Sequence, residues 1–324
     1  MSYQKVQTKK EIEVKLVDVF SSKPFEGNPL LVVLYGENLS DEKKIAVIKE
    51  MNRKKGVFLS EADDGKSDFK IQVFNHQGPI EYDYHCLLGA AYVMIKEKKI
   101  ILKKGTTNII TVQTRNDVLP LIIQTQRREL QKIMVMVSWE EKPEFRRIDY
   151  DTAMVAQSLG IDSEDIRTDI LMHAVKMTDW SIIIPVKSPE ILTKVQVNPS
   201  KFIKLAQDNN IEFICLCYID PTSSDEAIPT RIFAPMIEDM TQQHHIEDQI
   251  TGRSNIEIAA YLFENKLLKQ TGSKFMTEFV QETVKNRKGN VFVEMAIIND
   301  SIREISIGGI ASIILEGKMK VTSF

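Results

Sequence analysis

The stretch Arg231–Leu262, RIFAPMIEDMTQQHHIEDQITGRSNIEIAAYL, is the most informative part of this chain. It predicts an apolar strand, a polar loop and an apolar, alanine-containing helix whose start Thr251 is expected to cap. Gly252 lets the backbone approach a ligand closely, and the N–H groups of a helix start favour a carboxylate or phosphate. Glu247 and Asp248 lie just before the helix. The stretch therefore predicts an anion site with a proton-transfer group beside it.

A similar arrangement occurs earlier in the chain. Phe69–Lys96, FKIQVFNHQGPIEYDYHCLLGAAYVMIK, also predicts a strand, a polar loop and an apolar helix. The residues at this second helix start are Asp83, Tyr84, His85 and Cys86. Two such segments, about half a chain apart, indicate an internal duplication. The alternative is that two buried helices follow two strands by chance.

Composition limits the classes of function. The chain has 324 residues, enough for two domains, and 43% of them are hydrophobic. A net charge of −3, with lysine and arginine scattered, argues against nucleic acid or an anionic membrane as the partner. The polar opening and the lack of a long apolar run predict a cytoplasmic protein.

The cysteines and histidines do not predict a metal site. Cys215 and Cys217 alternate within an apolar strand and are interpreted as core thiols. His244 and His245 are adjacent in a polar loop, where solvated side chains are expected rather than a shared ion. Cys86 is either a reactive thiol at a helix start or buried packing, and packing is favoured.

Strands outnumber helices in both halves and follow one another in meander-like runs, which argues against a doubly wound parallel sheet. The pattern predicts an α+β fold with two similar lobes. Each lobe is a rolled, mainly antiparallel sheet around a central helix. The polar segment Trp139–Ile148 is the expected connection, giving lobes 1–140 and 141–324, with return of the last strand to the first lobe as an alternative.

Three motifs then indicate a family. They are the Phe–x–Gly–Asn–Pro signature within Val17–Leu34, the pair RIFAP and EDQITG at 231–235 and 247–252, and Ile307-Gly308-Gly309. In this order they resemble the motifs of the PhzF phenazine-biosynthesis isomerases, which have the diaminopimelate-epimerase-like fold. The resemblance implies a site in a cleft between two lobes, a homodimer, and proton movement on a small unsaturated acid without metal or organic cofactor. Asn28, Thr251 and Gly252 are the expected substrate-binding positions.

The departures from this pattern affect the catalytic positions. Lys55 stands where the family carries its acid/base glutamate, and Arg253 replaces a serine. Lys55 is either a desolvated replacement base or a solvated loop residue. Arg253 either binds a substrate carboxylate with two hydrogen bonds or fills the former pocket.

The retained residues lead to two hypotheses. In the first, His85, Asp248 and Lys55 are catalytic residues of a PhzF-like isomerase with a rebuilt acid/base set. Thr251, Gly252, Arg253 and Asn28 would then bind a small carboxylate metabolite. In the second, the chain is a catalytically inactive protein of the same fold that binds a metabolite or a protein partner through the cleft.

Overall fold

The structure is a computed structural model that describes residues 10–103, 105, 107–126, 129–138, 143–147, 151–177, 179–220, 227–234, 247–267, 272–283 and 287–321. The chain forms two compact units. Unit 1 comprises Met1–Val135 and Gly309–Phe324, and unit 2 comprises Met136–Gly308. The chain thus passes into unit 2 once and returns to unit 1 for its last strand.

Unit 1 contains nine described strands and two helices. The strands are β1 (Lys10–Val19), β2 (Asn28–Leu34), β3 (Lys55–Ser60), β4 (Phe69–Asn75), β5 (Pro79–Ile80), β6 (Thr107–Gln113), β7 (Val118–Gln126), β8 (Glu129–Ser138, which continues into unit 2) and β17 (Ala311–Val321). The helices are α1 (Asp41–Glu50) and α2 (Tyr84–Lys96). α1 begins after Ser40, whose side chain accepts a hydrogen bond from the Lys43 N–H.

Unit 2 contains eight described strands. They are β9 (Glu144–Arg147), β10 (His173–Lys176), β11 (Trp180–Val186), β12 (Phe213–Tyr218), β13 (Ile228–Phe233), β14 (Lys274–Glu282), β15 (Lys288–Ile298) and β16 (Ser301–Gly309). The helices are α3 (Thr152–Leu159), α4 (Pro189–Lys194), α5 (Pro199–Asp208) and α6 (Gly252–Glu264), with a 3₁₀ turn at Ser163–Asp165.

The two units share one order of strand pairing. In unit 1 the order is β17-β1-β2-β3-β4-β6-β7-β8, and the β2–β3 and β4–β6 pairs are the parallel ones. In unit 2 the order is β9-β10-β11-β12-β13-β14-β15-β16, and β11–β12 and β13–β14 are parallel. Parallel pairs therefore occur at the same two places in each series. This agreement supports the interpretation as an internal duplication.

Each unit has a buried central helix. Both α2 and α6 are 13 residues long, and residues around most of their circumference are buried. α2 contacts β1, β2, β3, β4 and β17, whereas α6 contacts β10, β11, β12 and β15. An apolar helix of this kind needs apolar partners on most sides, which a curled sheet supplies. The predicted α+β fold with a mainly antiparallel sheet around a helix in each lobe is confirmed.

Further helices cover the outer faces of the sheets. In unit 1, Val47 and Ile48 of α1 pack with sheet residues such as Phe58 and Phe74. In unit 2, α3 and α5 contribute to a core that includes Phe202 and Phe233. Burial of such side chains is worth roughly 1.5–3 kcal/mol each and holds the layers together.

The expected connection between the lobes contains a strand. Within Trp139–Ile148, residues Glu144–Arg147 form β9, which pairs with β10. Charged residues and Pro143 suggest a loop there, but a short strand at the end of a sheet tolerates both. Gly160 ends α3 in a left-handed conformation with φ +67°, as its position predicts.

None of the helices among the described residues is long and apolar enough to cross a membrane.

Candidate functional site

The start of α2 gathers four side chains, Lys55, Asp83, His85 and Cys86, which we call the α2-start cluster. Asp83 is the N-cap residue, and its Oδ1 accepts a hydrogen bond of 3.2 Å from the Cys86 N–H. The same oxygen lies 2.5 Å from Nδ1 of His85. The Lys55 ammonium forms an ion pair with the other oxygen, Oδ2. Lys55 reaches Asp83 because it opens β3, which contacts α2.

Asp83 is held in its charged form. Burial works to raise the pKa of its carboxyl, but His85 and Lys55 together hold that pKa well below its usual range. A charged acceptor at Nδ1 orients the imidazole and places its proton on that nitrogen. Nε2 of His85 is then the nitrogen that can exchange a proton with a ligand, and it lies 4.0 Å from Sγ of Cys86.

Lys55 is not a solvated loop residue. It is the first residue of β3, and its side chain is only 31% exposed. Because Asp83 stabilises the charged ammonium, Lys55 is better suited to orient Asp83 or to attract an anion than to accept a proton. The structure thus corrects the loop interpretation and gives Lys55 a definite partner.

Cys86 is fully buried, in agreement with the packing interpretation. Burial, reinforced by the charge of Asp83, raises the pKa of its thiol well above the usual value. The potential ligand atoms of Asp83, His85 and Cys86 lie within 4.8 Å of one another. However, Lys55 pairs with Asp83 and the thiol resists ionisation, so this group is poorly suited to a cation. Cys215 and Cys217 are also fully buried, as predicted.

Asn28 lies at the start of β2 and is buried. The turn before it depends on Gly27, which has φ +66°. A Cβ atom at Gly27 would lie 2.3 Å from the carbonyl oxygen of Val19, so only glycine fits this turn. This contact explains the glycine of the Phe–x–Gly–Asn–Pro signature.

In unit 2, a buried ion pair anchors the loop that carries Asp248. Nε of Arg231 lies 2.7 Å from Oε1 of Glu247, and both side chains are only 8% exposed. Arg231 also donates to the Leu192 carbonyl oxygen at 2.6 Å. The Asp248 N–H donates to the Ile232 carbonyl oxygen at 2.9 Å. Of the two acids before α6, Glu247 is therefore structural, whereas Asp248 is partly exposed.

Thr251 and Gly252 lie where α6 begins, as predicted, but the expected cap is absent. Thr251 has the extended backbone of an N-cap residue, yet its side chain makes no capping hydrogen bond among the described residues. Its N–H donates instead to Oε1 of Gln281 at 3.0 Å, and Asn255 donates to its carbonyl oxygen at 2.6 Å. The helix start is thus fixed by amide side chains.

Arg253 lies among three acids. Its guanidinium forms an ion pair with Asp179, and Nη1 lies 3.9 Å from Oε1 of Glu212. Nε lies 4.0 Å from Oε1 of Glu257, one turn along α6. The three acids do not share one charge state, because burial raises the pKa of Glu257 to about 8. Glu257 is completely buried, and Ser181 donates a hydrogen bond to its Oε2.

Sequence reasoning assigned no role to four of these residues, Asp83, Asp179, Glu212 and Glu257, although Asp83 was placed at the helix start. Asp83 was recognisable, because an aspartate directly before an apolar helix is a common N-cap. Glu257 was also recognisable as an acid within an otherwise apolar helix. Asp179 and Glu212 precede β11 and β12, and only the parallel pairing of those strands brings them together. Residues His244 and His245 lie outside the described residues.

Comparison with known proteins identifies the family of this chain. A family model described as phenazine biosynthesis-like protein (PhzC-PhzF) matches residues 17–317. The chain belongs to the PhzF family. An uncharacterized isomerase of Clostridium acetobutylicum is 23% identical over 305 residues, covering 94% of this chain and 96% of the relative.

Two further PhzF-family comparisons agree. The uncharacterized isomerase YfhB of Bacillus subtilis is 24% identical over 286 residues, covering 88% of this chain and 91% of YfhB. A PhzF-family crystal structure from Bacillus anthracis matches with a TM-score of 0.80 at 19% identity, covering 96% of this chain and all of that chain. At this identity the structural match supports the fold alone.

Proposed function

We propose that this PhzF-family chain is an isomerase that moves a proton on a small carboxylate metabolite, using an acid/base set different from that implied by the family resemblance. Family membership and relatives described as isomerases support the reaction class. The observation that carries the proposal is the Asp83–His85 pair. A charged carboxylate on Nδ1 of an imidazole is a common way to prepare the other ring nitrogen for proton transfer.

His85 and Asp248 are proposed to act on protons. One removes a proton from a substrate carbon, and the other returns a proton to a different carbon as the double bond moves. One C–H bond breaks and another forms, so no oxidant or reductant is needed. Asp248 suits this role because the ion pair of Arg231 and Glu247 fixes its loop while its own side chain stays partly exposed.

Two groups are proposed to attract the substrate carboxylate. Lys55 brings a positive charge to the α2-start cluster, and its pair with Asp83 leaves it 31% exposed. The first N–H groups of α6, at Gly252 and beyond, are a second candidate, because the Thr251 side chain does not cap them. Asn28 is proposed as a neighbouring polar contact.

The test is solvent deuterium uptake. The wild-type protein is incubated in D₂O with a panel of small amino acids and unsaturated carboxylic acids, and C–D formation is followed by mass spectrometry. His85→Gln and Asp248→Asn should each slow exchange by about 100-fold or more. The exposed residues His76 and Asp208 provide matched controls, His76→Gln and Asp208→Asn, which should exchange normally.

The same experiment separates the alternative function. If no acid in the panel exchanges, but several raise the melting temperature of the protein, binding without turnover becomes the better explanation. If neither exchange nor a thermal shift occurs, the carboxylate-metabolite proposal itself is contradicted.

We also propose that the protein works as a cytoplasmic homodimer without a metal or organic cofactor, as the resemblance implies. Analytical ultracentrifugation should give about twice the chain mass of 37.0 kDa. Dialysis against EDTA should leave the exchange rate unchanged. Loss of exchange that zinc or magnesium restores would contradict the cofactor-independent part of the proposal.

A further inference from the structure

Two carboxyl groups meet at one edge of the unit 2 sheet. Asp179 directly precedes β11, and Glu212 directly precedes β12. The two strands run parallel with Ser181 opposite Phe213, and the Glu212 N–H donates to the Trp180 carbonyl oxygen at 2.8 Å. This pairing holds the two acids side by side. Their side chains remain 44% and 40% exposed, so a ligand can reach them.

Both acids lie against the Arg253 guanidinium, which forms an ion pair with Asp179 and has Nη1 3.9 Å from Oε1 of Glu212. Burial and the hydrogen bond to Asp179 raise the pKa of Glu212. Burial opposes ionisation of Asp179 as well, but hydrogen bonds from Arg253 and Glu212 lower its pKa. Of the two acids, Glu212 is therefore the one that holds its proton more tightly.

Arg253 forms ion pairs with both of these acids and with Glu257. Its guanidinium contacts Asp179 and Glu212, so its charge is largely neutralised within the cluster. Glu257 is completely buried, and its Oε1 has no hydrogen-bond partner among the described residues. This oxygen faces Nε of Arg253, which likewise lacks a hydrogen-bond partner there.

Other charges near the pair come from separate elements. Lys176 on β10 helps to lower the pKa of Asp179, whereas Asp248 before α6 helps to raise the pKa of Glu212. Asp248 is already proposed to act on protons.

Because the fold is duplicated, the position of Glu212 in unit 2 has an equivalent in unit 1, which is the position of Lys55. β3 in unit 1 and β12 in unit 2 occupy the same place in the shared strand order. The family resemblance places its acid/base glutamate at the start of β3, where this chain has Lys55. In this chain an acid is found instead at the start of β12. The chain thus has a basic residue, Lys55, at the start of β3 and an acid, Glu212, at the equivalent start of β12.

We infer that Glu212, which the parallel pairing of β11 and β12 holds beside Asp179, is a catalytic acid/base group of this isomerase, and that Arg253 is a positioning residue for the pair. The inference rests on the proposed isomerase function. Glu212 would join His85 and Asp248 in the acid/base set and give its proton to one substrate carbon, while another member of the set removes a proton from a different carbon. Glu212 would then regain a proton from solvent and the other group would release one to solvent, so that protons balance over a turnover. Arg253 would keep Asp179 charged rather than bind the substrate carboxylate.

The first test compares exchange rates. Glu212→Gln should slow deuterium uptake by about 100-fold or more, and Glu212→Asp should restore part of the rate. Glu164→Gln, at an exposed position of unit 2, should leave the rate unchanged. Arg253→Lys should lower kcat and move the acidic limb of the pH profile. A raised KM with an unchanged kcat would instead make Arg253 a substrate ligand and overturn its positioning role.

The second test is a ¹³C NMR titration of labelled carboxyl groups in the wild-type protein. One carboxyl of the pair should titrate above, and the other below, the usual range, and Glu212→Gln should remove the upper titration. Independent titration of both near ordinary values would contradict the coupling of Glu212 with Asp179. Exchange retained by Glu212→Gln would overturn the catalytic role alone. A wild-type protein without any exchange would overturn the isomerase proposal together with that role.

Discussion

Lys55 and Asp83 form an ion pair in which each residue determines the role of the other. A lysine at the start of β3 would be of little use as a base beside a carboxylate, because the carboxylate stabilises the ammonium. The same contact helps to keep Asp83 charged beside His85. The roles of Lys55 and Asp83 are therefore best understood together.

Lys55→Glu tests this relation. The substitution removes an ion pair and places a second carboxyl against Asp83, so we expect a loss of stability of roughly 1 kcal/mol and slower exchange. Urea denaturation and deuterium uptake measure the two effects. Lys54→Glu, at the exposed neighbouring position, is the control. Faster exchange in Lys55→Glu would contradict the rebuilt acid/base set and mark the natural chain as an inactivated enzyme.

Glu257 should make stability depend on pH. Its pKa is raised by burial from 4.5 to about 8, so its contribution to stability is fully present below about pH 4.5 and is lost as the pH rises through about 8. The loss from this group can reach about 1.4 kcal/mol per pH unit.

Glu257→Gln removes the ionisation and keeps a polar partner for Ser181. Between about pH 5 and 8, the free energy of unfolding of the wild type should therefore fall more steeply than that of Glu257→Gln. Chemical denaturation at several pH values measures the slopes. Glu264→Gln, on the exposed face of the same helix, should behave as the wild type. Equal slopes in all three proteins would show that Glu257 is ionised already at neutral pH.

At the scale of elements, a turn and an ion pair determine where two candidate site residues lie. The Gly27 turn delivers Asn28 to the start of β2, and the Arg231–Glu247 pair delivers Asp248 to the start of α6. Each feature thereby determines where a candidate residue lies.

Gly27→Ala should be far more costly than Gly65→Ala. Both glycines have φ +66°, but a Cβ at Gly27 would lie 2.3 Å from a carbonyl oxygen, whereas nothing lies within 4 Å of one at Gly65. Gly65→Ala should cost about 1 kcal/mol for the left-handed conformation alone. Gly27→Ala should cost roughly 2–4 kcal/mol because the turn must also move. Thermal denaturation compares them, and equal costs would contradict the tight turn.

The two central helices were predictable from sequence, but their partners were not. Apolar residues on most sides predicted helices near Cys86–Lys96 and Ser254–Lys269, and the structure places them at Tyr84–Lys96 and Gly252–Glu264. The second helix ends earlier because Asn265 terminates it. Lys55 was identified from the motif alone, whereas its contact with Asp83 depends on how β3 packs on α2. Such long-range contacts leave no local pattern in the sequence.

At the scale of the whole molecule, β17 completes unit 1. It pairs with β1 over its whole length, from Val321 opposite Lys10 to Ala311 opposite Val19. β1 therefore lies between β17 and β2, and it has no other source of hydrogen bonds on the β17 side among the described pairings. A chain without β17 would leave β1, a strand of 10 residues, with an open edge.

Truncation after Ile310 should expose this edge. Hydrogen exchange should show loss of amide protection in β1, while protection in unit 2 strands such as β15 is retained. A chain ending at Val321 is the matched control, because it keeps the whole of β17. Full protection of β1 in the shorter chain would contradict a closing role for the last strand.

The return of the last strand to unit 1 also affects the order in which the two units can complete their folding during synthesis. Unit 2 is continuous in sequence from Met136 to Gly308, so it can fold as soon as it leaves the ribosome. The amino-terminal strands, although made first, wait for the carboxyl terminus. At about 5–20 residues per second, that wait is roughly 10–40 s. During this interval the nascent chain exposes the unpaired edge of β1. A chaperone that binds this edge would protect the chain from aggregation.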